Sequence, residues 1–232
     1  MPKNRPMQEI QNWIFDLDNT IYPVDANIQQ QADQRMPRYI MDKFGVDYDA
    51  ARKIQKDLYL KYGTTLSGLV EENKIDPYHY WNYVFDIDYT GLKHDLALAE
   101  CLSRLPGKKY IYSNSPRFHA DKVLGTMGIA DYFDGVFDLA AADFISKPQA
   151  DSYRKMISYF GLDPSQSLFM DDVARNLVPA AQLGITTVYL QHGAHHPDFA
   201  IPIPDDILPY IHYQTDDMLQ FLQNALLTLD KK

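Results

Sequence analysis

Five short apolar runs, at residues 13–15, 110–112, 136–139, 168–170 and 187–190, each stop against polar or turn residues. Runs this short and this continuously apolar read as parallel strands buried on both faces. Helical patterns separate several of them. Residues 118–127 lead to Gly128 and residues 173–183 to Gly184, each glycine a natural helix stop. A last helix is expected near the end, with Thr215 as its cap and Asp216 and Asp217 in its first turn. Leu219, Leu222, Leu226 and Leu229 would share its buried face. Strands alternating with helices predict an α/β fold, a doubly wound, Rossmann-like parallel sheet.

One stretch breaks the alternation. From about residue 21 to about residue 96 there is no strand pattern, only amphipathic helical patterns and many aromatics. A gap of about 75 residues is too long for one crossover helix. The expected organisation is a core of residues 1–21 and 97–232 with a helical cap of residues 22–96 inserted after the first strand. Ligands of open α/β sheets bind beyond the carboxyl ends of the strands, so such an insertion would cover the site.

The strand ends carry the chemistry. Asp16 and Asp18 follow the first run, Ser113 and Asn114 the second, Ser146-Lys147-Pro148 the third, and Asp171 and Asp172 the fourth. Two carboxylates two residues apart repel unless a cation lies between them. In an extended chain such a pair faces one way, so Asp16 and Asp18 are expected to act on one centre. With Asp171 and Asp172 they form an oxygen-rich site suited to Mg²⁺, which keeps several waters and takes a few carboxylates plus phosphate oxygens. The chemistry indicated is phosphoryl transfer to an aspartate, with Lys147 and Ser113 holding the phosphoryl oxygens.

The order D-L-D-N-T (16–20), I-Y-S-N (111–114), S-K-P (146–148) and F-M-D-D (169–172) resembles the four motifs of the haloacid dehalogenase superfamily of hydrolases. The resemblance implies Asp16 as the nucleophile that becomes aspartyl-phosphate. It implies Asp18 as the acid that protonates the leaving oxygen and then activates water. Metal would be held by Asp16, the main-chain carbonyl of Asp18, and Asp172, with Asp171 in or near the shell. Many relatives carry an acid four residues beyond the Asp172 position; Asn176 stands there and is expected to orient Lys147 or a water. Residues 59–70, 88–93 and 117–124 resemble the pyrimidine 5'-nucleotidase branch, which implies pyrimidine nucleoside 5'-monophosphates as substrates.

Other segments have plainer readings. The alternating acids of residues 16–20 do not continue as a calcium loop, because Ile21 stands where glycine is required and Asn27 at the twelfth position. His192, His195 and His196 lack a cysteine partner, and Gly193 and Pro197 mark a surface loop rather than a zinc site. Tyr78, Tyr80, Trp81, Tyr83 and Phe85 are expected mainly to pack cap helices. The turn at residues 63–68 offers two glycines and three hydroxyls; Thr64 and Thr65 are its candidate substrate contacts.

The whole chain has 22 basic and 31 acidic residues, a formal charge of −9 that opposes nucleic acid and anionic membranes. A lone cysteine, Cys101, excludes an intrachain disulfide, and no apolar leader is evident, so a cytoplasmic monomer or homodimer is expected. The expected partner is a small phosphoester. The alternatives are another phosphoester such as phosphoglycolate or a sugar phosphate, a phosphomutase, or a catalytically silent binding module on the same fold.

Overall fold

The computed structural model describes residues 6–192 and 203–230. The strands are β1 (Asn12–Phe15), β2 (Lys108–Tyr112), β3 (Gly135–Phe137), β4 (Ser167–Asp171), β5 (Thr186–Leu190) and β6 (Tyr213–Thr215). They form one parallel sheet in the order β3-β2-β1-β4-β5-β6. The central strand is β1, with Phe15 in register with Ile111 on one side and Met170 on the other.

Five strands lie where the apolar runs place them. The sixth has no apolar run, because Tyr213, Gln214 and Thr215 form a partly exposed edge. Its presence corrects the expected role of Thr215, which ends β6 rather than capping a helix. The last helix, α9 in chain order (Met218–Leu229), is capped by Asp217, whose carboxylate accepts the Gln220 N–H at 2.9 Å. Thr and Asp are both good caps, and a single residue separates them.

Alternation along the strands sorts the core into two layers. Trp13, Phe15, Ile111, Leu168, Met170, Val188 and Leu190 face one side. There they meet α5 (Leu96–Arg104), α6 (Arg117–Met127) and α9 through residues such as Leu102, Val123 and Leu222. Ile14, Tyr110, Tyr112, Phe169 and Tyr189 face the other side, against Tyr153 and Met156 of α7 (Ala150–Phe160) and Leu177 and Ala180 of α8 (Ala174–Gln182). Helices on both faces make the sheet doubly wound.

Between β1 and β2 the chain builds four helices: α1 (Ile28–Phe44), α2 (Tyr48–Tyr62), α3 (Thr65–Asn73) and α4 (Pro77–Val84). The starts of the last three follow from local chemistry. Asp47 accepts the Ala50 N–H, Thr64 the Ser67 N–H, and Asp76 the Tyr78 N–H, with Pro77 in the first turn. Their apolar faces form a cluster of their own, including Ala32, Ile40, Leu58, Leu69, Tyr80, Trp81 and Val84, sealed by Leu139 from the sheet side. Packing thus claims Tyr80, Trp81 and Phe85, while Tyr78 is exposed.

The insertion is anchored at the α2–α3 turn. Ser146 Oγ donates to the Tyr62 carbonyl at 2.6 Å, and Ser67 Oγ donates to the Phe144 carbonyl at 2.9 Å. Gly63 has φ +87°, and a Cβ there would lie 2.4 Å from the Lys147 carbonyl oxygen. Close approach, rather than mobility, is what this glycine provides. Gly63→Ala is expected to destabilise the chain by about 2 kcal/mol or more, from left-handed strain plus the clash. Urea unfolding of the variant beside wild type checks this.

Candidate active site

The crossover direction reverses at β1 and β4, neighbours in the sheet, and the crevice beyond such a reversal is where α/β sheets bind ligands. Asp16 leaves the end of β1, and Asp171 and Asp172 leave the end of β4. Oxygens of these three carboxylates lie within 4.8 Å of one another. Two ligands of one Mg²⁺, each about 2.1 Å from it, can stand at most about 4.2 Å apart. The trio is near that size, and its donors are the hard oxygens Mg²⁺ prefers.

Lys147 reaches this trio from the loop after β3, buried to 2 % exposure. Its Nζ donates to Asp16 Oδ1 at 2.6 Å, Asp171 Oδ2 at 2.8 Å and the Tyr112 carbonyl at 3.0 Å. Burial opposes its charge, but Asp16 and Asp171 outweigh that and hold the ammonium above its ordinary pKa. Burial likewise pushes the Asp16 carboxyl up to about 7 against the pull of Lys147, with Asp171 and Asp18 adding repulsion. Burial raises Asp172 well above the carboxylate range, reinforced by Asp171 and Asp16. A site this rich in crowded carboxylates is matched to a cation.

Asn176 is buried and donates to both oxygens of Asp171 at 3.0 Å. The Val173 N–H adds a third bond to Asp171, at 2.8 Å. Asn176 therefore fixes Asp171, and reaches Lys147 only through it. Asn114 locks the Lys147 backbone from the other side, accepting its N–H at 2.9 Å and donating to its carbonyl at 3.3 Å.

Asp18 behaves differently from the expected same-facing pair. Its carboxylate is not among the converging three. Strand geometry ends at Phe15, so alternation no longer governs position 18. The Asp18 carboxylate instead accepts from Tyr22 Oη at 2.5 Å, Ser115 Oγ at 2.5 Å and His119 Nε2 at 2.8 Å. Burial raises its pKa, but His119, Ser115 and Tyr22 together overcome that and hold it below the usual carboxylate value. His119 is fully buried, with Nδ1 2.8 Å from Tyr89 Oη. An ionised carboxylate can only accept, so Nε2 carries the proton toward Asp18.

A cavity of about 950 Å³ opens over these strand ends, walled by the sheet loops and the helical insertion. Asp16, Asp18, Asn114, Lys147, Asp172, Thr64 and Thr65 all line it. Ser113 does not; it is 1 % exposed, and its Oγ accepts the Ser115 N–H at 2.9 Å. Ser115 takes the lining position instead. The Thr64 hydroxyl is engaged as a helix cap and on Ser67 Oγ at 2.8 Å. His192 belongs to the site rather than to a surface loop, which corrects that expectation. Its Nε2 lies 2.6 Å from the Asn19 carbonyl and 3.9 Å from Asp172 Oδ2. His195 and His196 lie outside the described residues. Arg175, at the start of α8, sets its guanidinium over the Tyr59 ring at 4.2 Å, joining core to insertion.

Known proteins share this architecture. The chain is 29% identical over 203 residues to "Phosphate metabolism protein 8" of Saccharomyces cerevisiae, covering 80% of this chain and 62% of that protein. It is 37% identical over 90 residues to "Enolase-phosphatase E1" of Citrobacter koseri, covering 36% of this chain and 37% of that protein. The chain thus spans less than two thirds of the length of either relative. Among solved structures, a HAD phosphatase from Thermococcus onnurineus superposes with a TM-score of 0.60 at 19% identity, over 94% of this chain and 98% of that one. The HAD-hydrolase YfnB from Bacillus subtilis, bound to magnesium, gives 0.59 at 17% identity over 94% and 98%. These likenesses establish the fold. The sequence pattern shared by haloacid dehalogenase-like hydrolases matches residues 10–184, from just before β1 to just past α8, and the chain belongs to that family.

Proposed function

We propose that this chain is a Mg²⁺-dependent phosphomonoesterase that acts through an aspartyl-phosphate on Asp16 and takes pyrimidine nucleoside 5'-monophosphates. The observation that carries the reading is the convergence of Asp16, Asp171 and Asp172 around a buried Lys147, at the floor of a cavity with room for a nucleotide. The phosphatase names of the relatives and the magnesium of the Bacillus structure support it.

Asp16 and Asp172 would hold the metal, since Asp171 is already engaged by Lys147, Asn176 and the Val173 N–H. When bound, Mg²⁺ neutralises the carboxylates and the phosphoryl oxygens, so that anion can approach anion. Lys147 holds the Asp16 carboxylate in place and offers its charge to the phosphoryl group. Asp16 attacks phosphorus, the ester oxygen leaves with a proton from Asp18, and Asp18 then takes a proton from the water that cleaves the acyl phosphate. The ionised Asp18 of the free protein suits the second step. A phosphate dianion arriving beside it raises its pKa and readies it for the first.

His119 and Tyr89 keep Asp18 aimed. His119→Ala is expected to lower kcat about 10- to 100-fold with little change in KM, the usual effect of removing a supporting hydrogen bond. Steady-state kinetics on the preferred ester checks this.

The test of the reading is phosphate release from UMP, CMP, dUMP, AMP, GMP, phosphoglycolate and sugar phosphates, with Mg²⁺ and with EDTA. Release that needs the metal and is led by pyrimidine nucleotides is expected. Release led by another ester would discard the pyrimidine assignment, and no release from any ester by folded, Mg²⁺-supplied protein would discard the phosphatase.

A further inference from the structure

The insertion side of the cavity carries polar groups that phosphoryl chemistry does not use. Tyr80 is 2 % exposed, its ring is packed in the insertion core, and its hydroxyl has no hydrogen-bond partner among the described residues. Gln29 Oε1 is buried and equally unpartnered among them. Both residues line the cavity. A buried polar atom left unpaired is costly, so two in one wall point to a ligand that completes them.

Two charged groups stand with them. Asp33, one turn beyond Gln29 on α1, is exposed toward the cavity, which it lines. Burial pushes its carboxyl up to about 6, against the pull of Arg52 and a hydrogen bond from Gln29. Arg52 projects from α2 and spends one N–H on Gln55 Oε1 at 2.8 Å, out of the five a guanidinium carries. Met36, Trp81 and Phe85 supply apolar surface in the same lining.

We infer that Gln29, Asp33, Arg52 and Tyr80 form a second subsite that reads the hydrogen-bonding edge of a planar heterocycle, one bearing a carbonyl next to an N–H or amino group. The inference rests on the nucleotide phosphatase reading and assigns that reading's specificity to named atoms. The Tyr80 hydroxyl and Arg52 donate to ring carbonyls or to an unprotonated ring nitrogen. Gln29 Oε1 and the Asp33 carboxylate accept from the ring N–H or the amino group. The apolar residues cover the ring faces. A glycolate or an open sugar phosphate has no such edge, and would leave Tyr80 and Gln29 unpaired beside Trp81 and Phe85. Were Tyr80 only a core residue, phenylalanine would serve without the cost of a buried hydroxyl.

The test compares UMP, N3-methyl-UMP and ribose 5-phosphate as substrates of wild type and Tyr80→Phe. Uridine and N3-methyluridine binding to the wild-type protein is measured by NMR alongside. Wild type should prefer UMP over the N3-methyl ester about tenfold or more in kcat/KM, mostly through KM. Tyr80→Phe, which keeps the packing, should shrink the UMP to ribose 5-phosphate ratio about 3- to 10-fold, the worth of one hydrogen bond. Equal use of UMP and its N3-methyl form overturns the subsite, as does an equal fall on UMP and ribose 5-phosphate in Tyr80→Phe. The nucleoside arm separates the two readings. Uridine binding tighter than N3-methyluridine, in a protein that hydrolyses no ester, keeps the subsite and discards the phosphatase. Hydrolysis with no preference between the two nucleosides does the reverse.

Discussion

Asp16→Asn will lower phosphate release at least about 10⁴-fold while leaving the chain folded. The carboxamide has the shape of the carboxylate, and its oxygen can still accept the Lys147 Nζ bond that Asp16 Oδ1 makes at 2.6 Å. What it lacks is an anionic oxygen able to attack phosphorus. Stability should hold or rise at pH 8. Burial raises the Asp16 pKa to about 7, so the ionised form is a burden on the apo protein that asparagine does not carry. Phosphate release and thermal unfolding on one preparation check both halves. Residual turnover above about one per cent, with deamidation excluded by mass spectrometry, would sink the nucleophile assignment.

Lys147→Met will destabilise the metal-free protein by about 3–5 kcal/mol at pH 8, because it leaves the buried carboxylates of Asp16 and Asp171 without the cation they share. The deficit should shrink in acid. Asp16 has a folded pKa raised above its unfolded value of 3.8, so the folded state holds more protons, and stability falls as pH climbs from about 4 to about 7. Without the lysine that window extends upward, and the gap to wild type widens from pH 5 to pH 8. Mg²⁺ should recover part of the loss by supplying the missing positive charge. Urea unfolding across pH, with and without Mg²⁺, reads each component. A deficit independent of pH would mean that packing, not charge, accounts for the effect.

Much of the site is visible in the sequence because a parallel sheet brings all its strand ends to one edge. An acid and an acid pair that each follow an apolar run must meet there, and Lys147 joins them from the loop after β3. The partners of Asp18 are not visible in the same way. Ser115 and His119 lie 97 and 101 residues away, on a turn and a helix start whose rotation no strand pattern fixes. His192 hides for a related reason. Its H-G setting reads as an outer loop, yet β5 lies beside β4, so the residue just past its end reaches the same edge. The glycine and hydroxyls of residues 63–67 suggest adaptable contacts. Tertiary packing gives Gly63, Thr64 and Ser67 structural tasks as well, in a tight turn, a helix cap and a bond to Phe144.

The anchoring of the α2–α3 turn limits how proteins of this build can diverge. Ser146 and Lys147 are adjacent in the chain; one holds the insertion through Tyr62 and the other holds Asp16. A length change at residues 62–67 would therefore be transmitted to the lysine with nothing between to absorb it. The 74–76 connection joining α3 to α4 has no comparable bond to the lysine loop among those described. New ligand preferences would accordingly be acquired by substitution on α1, α2 and α4, or by lengthening there. In a transplant of these helices onto another sheet, the residues from 144 to 149 should travel with the graft.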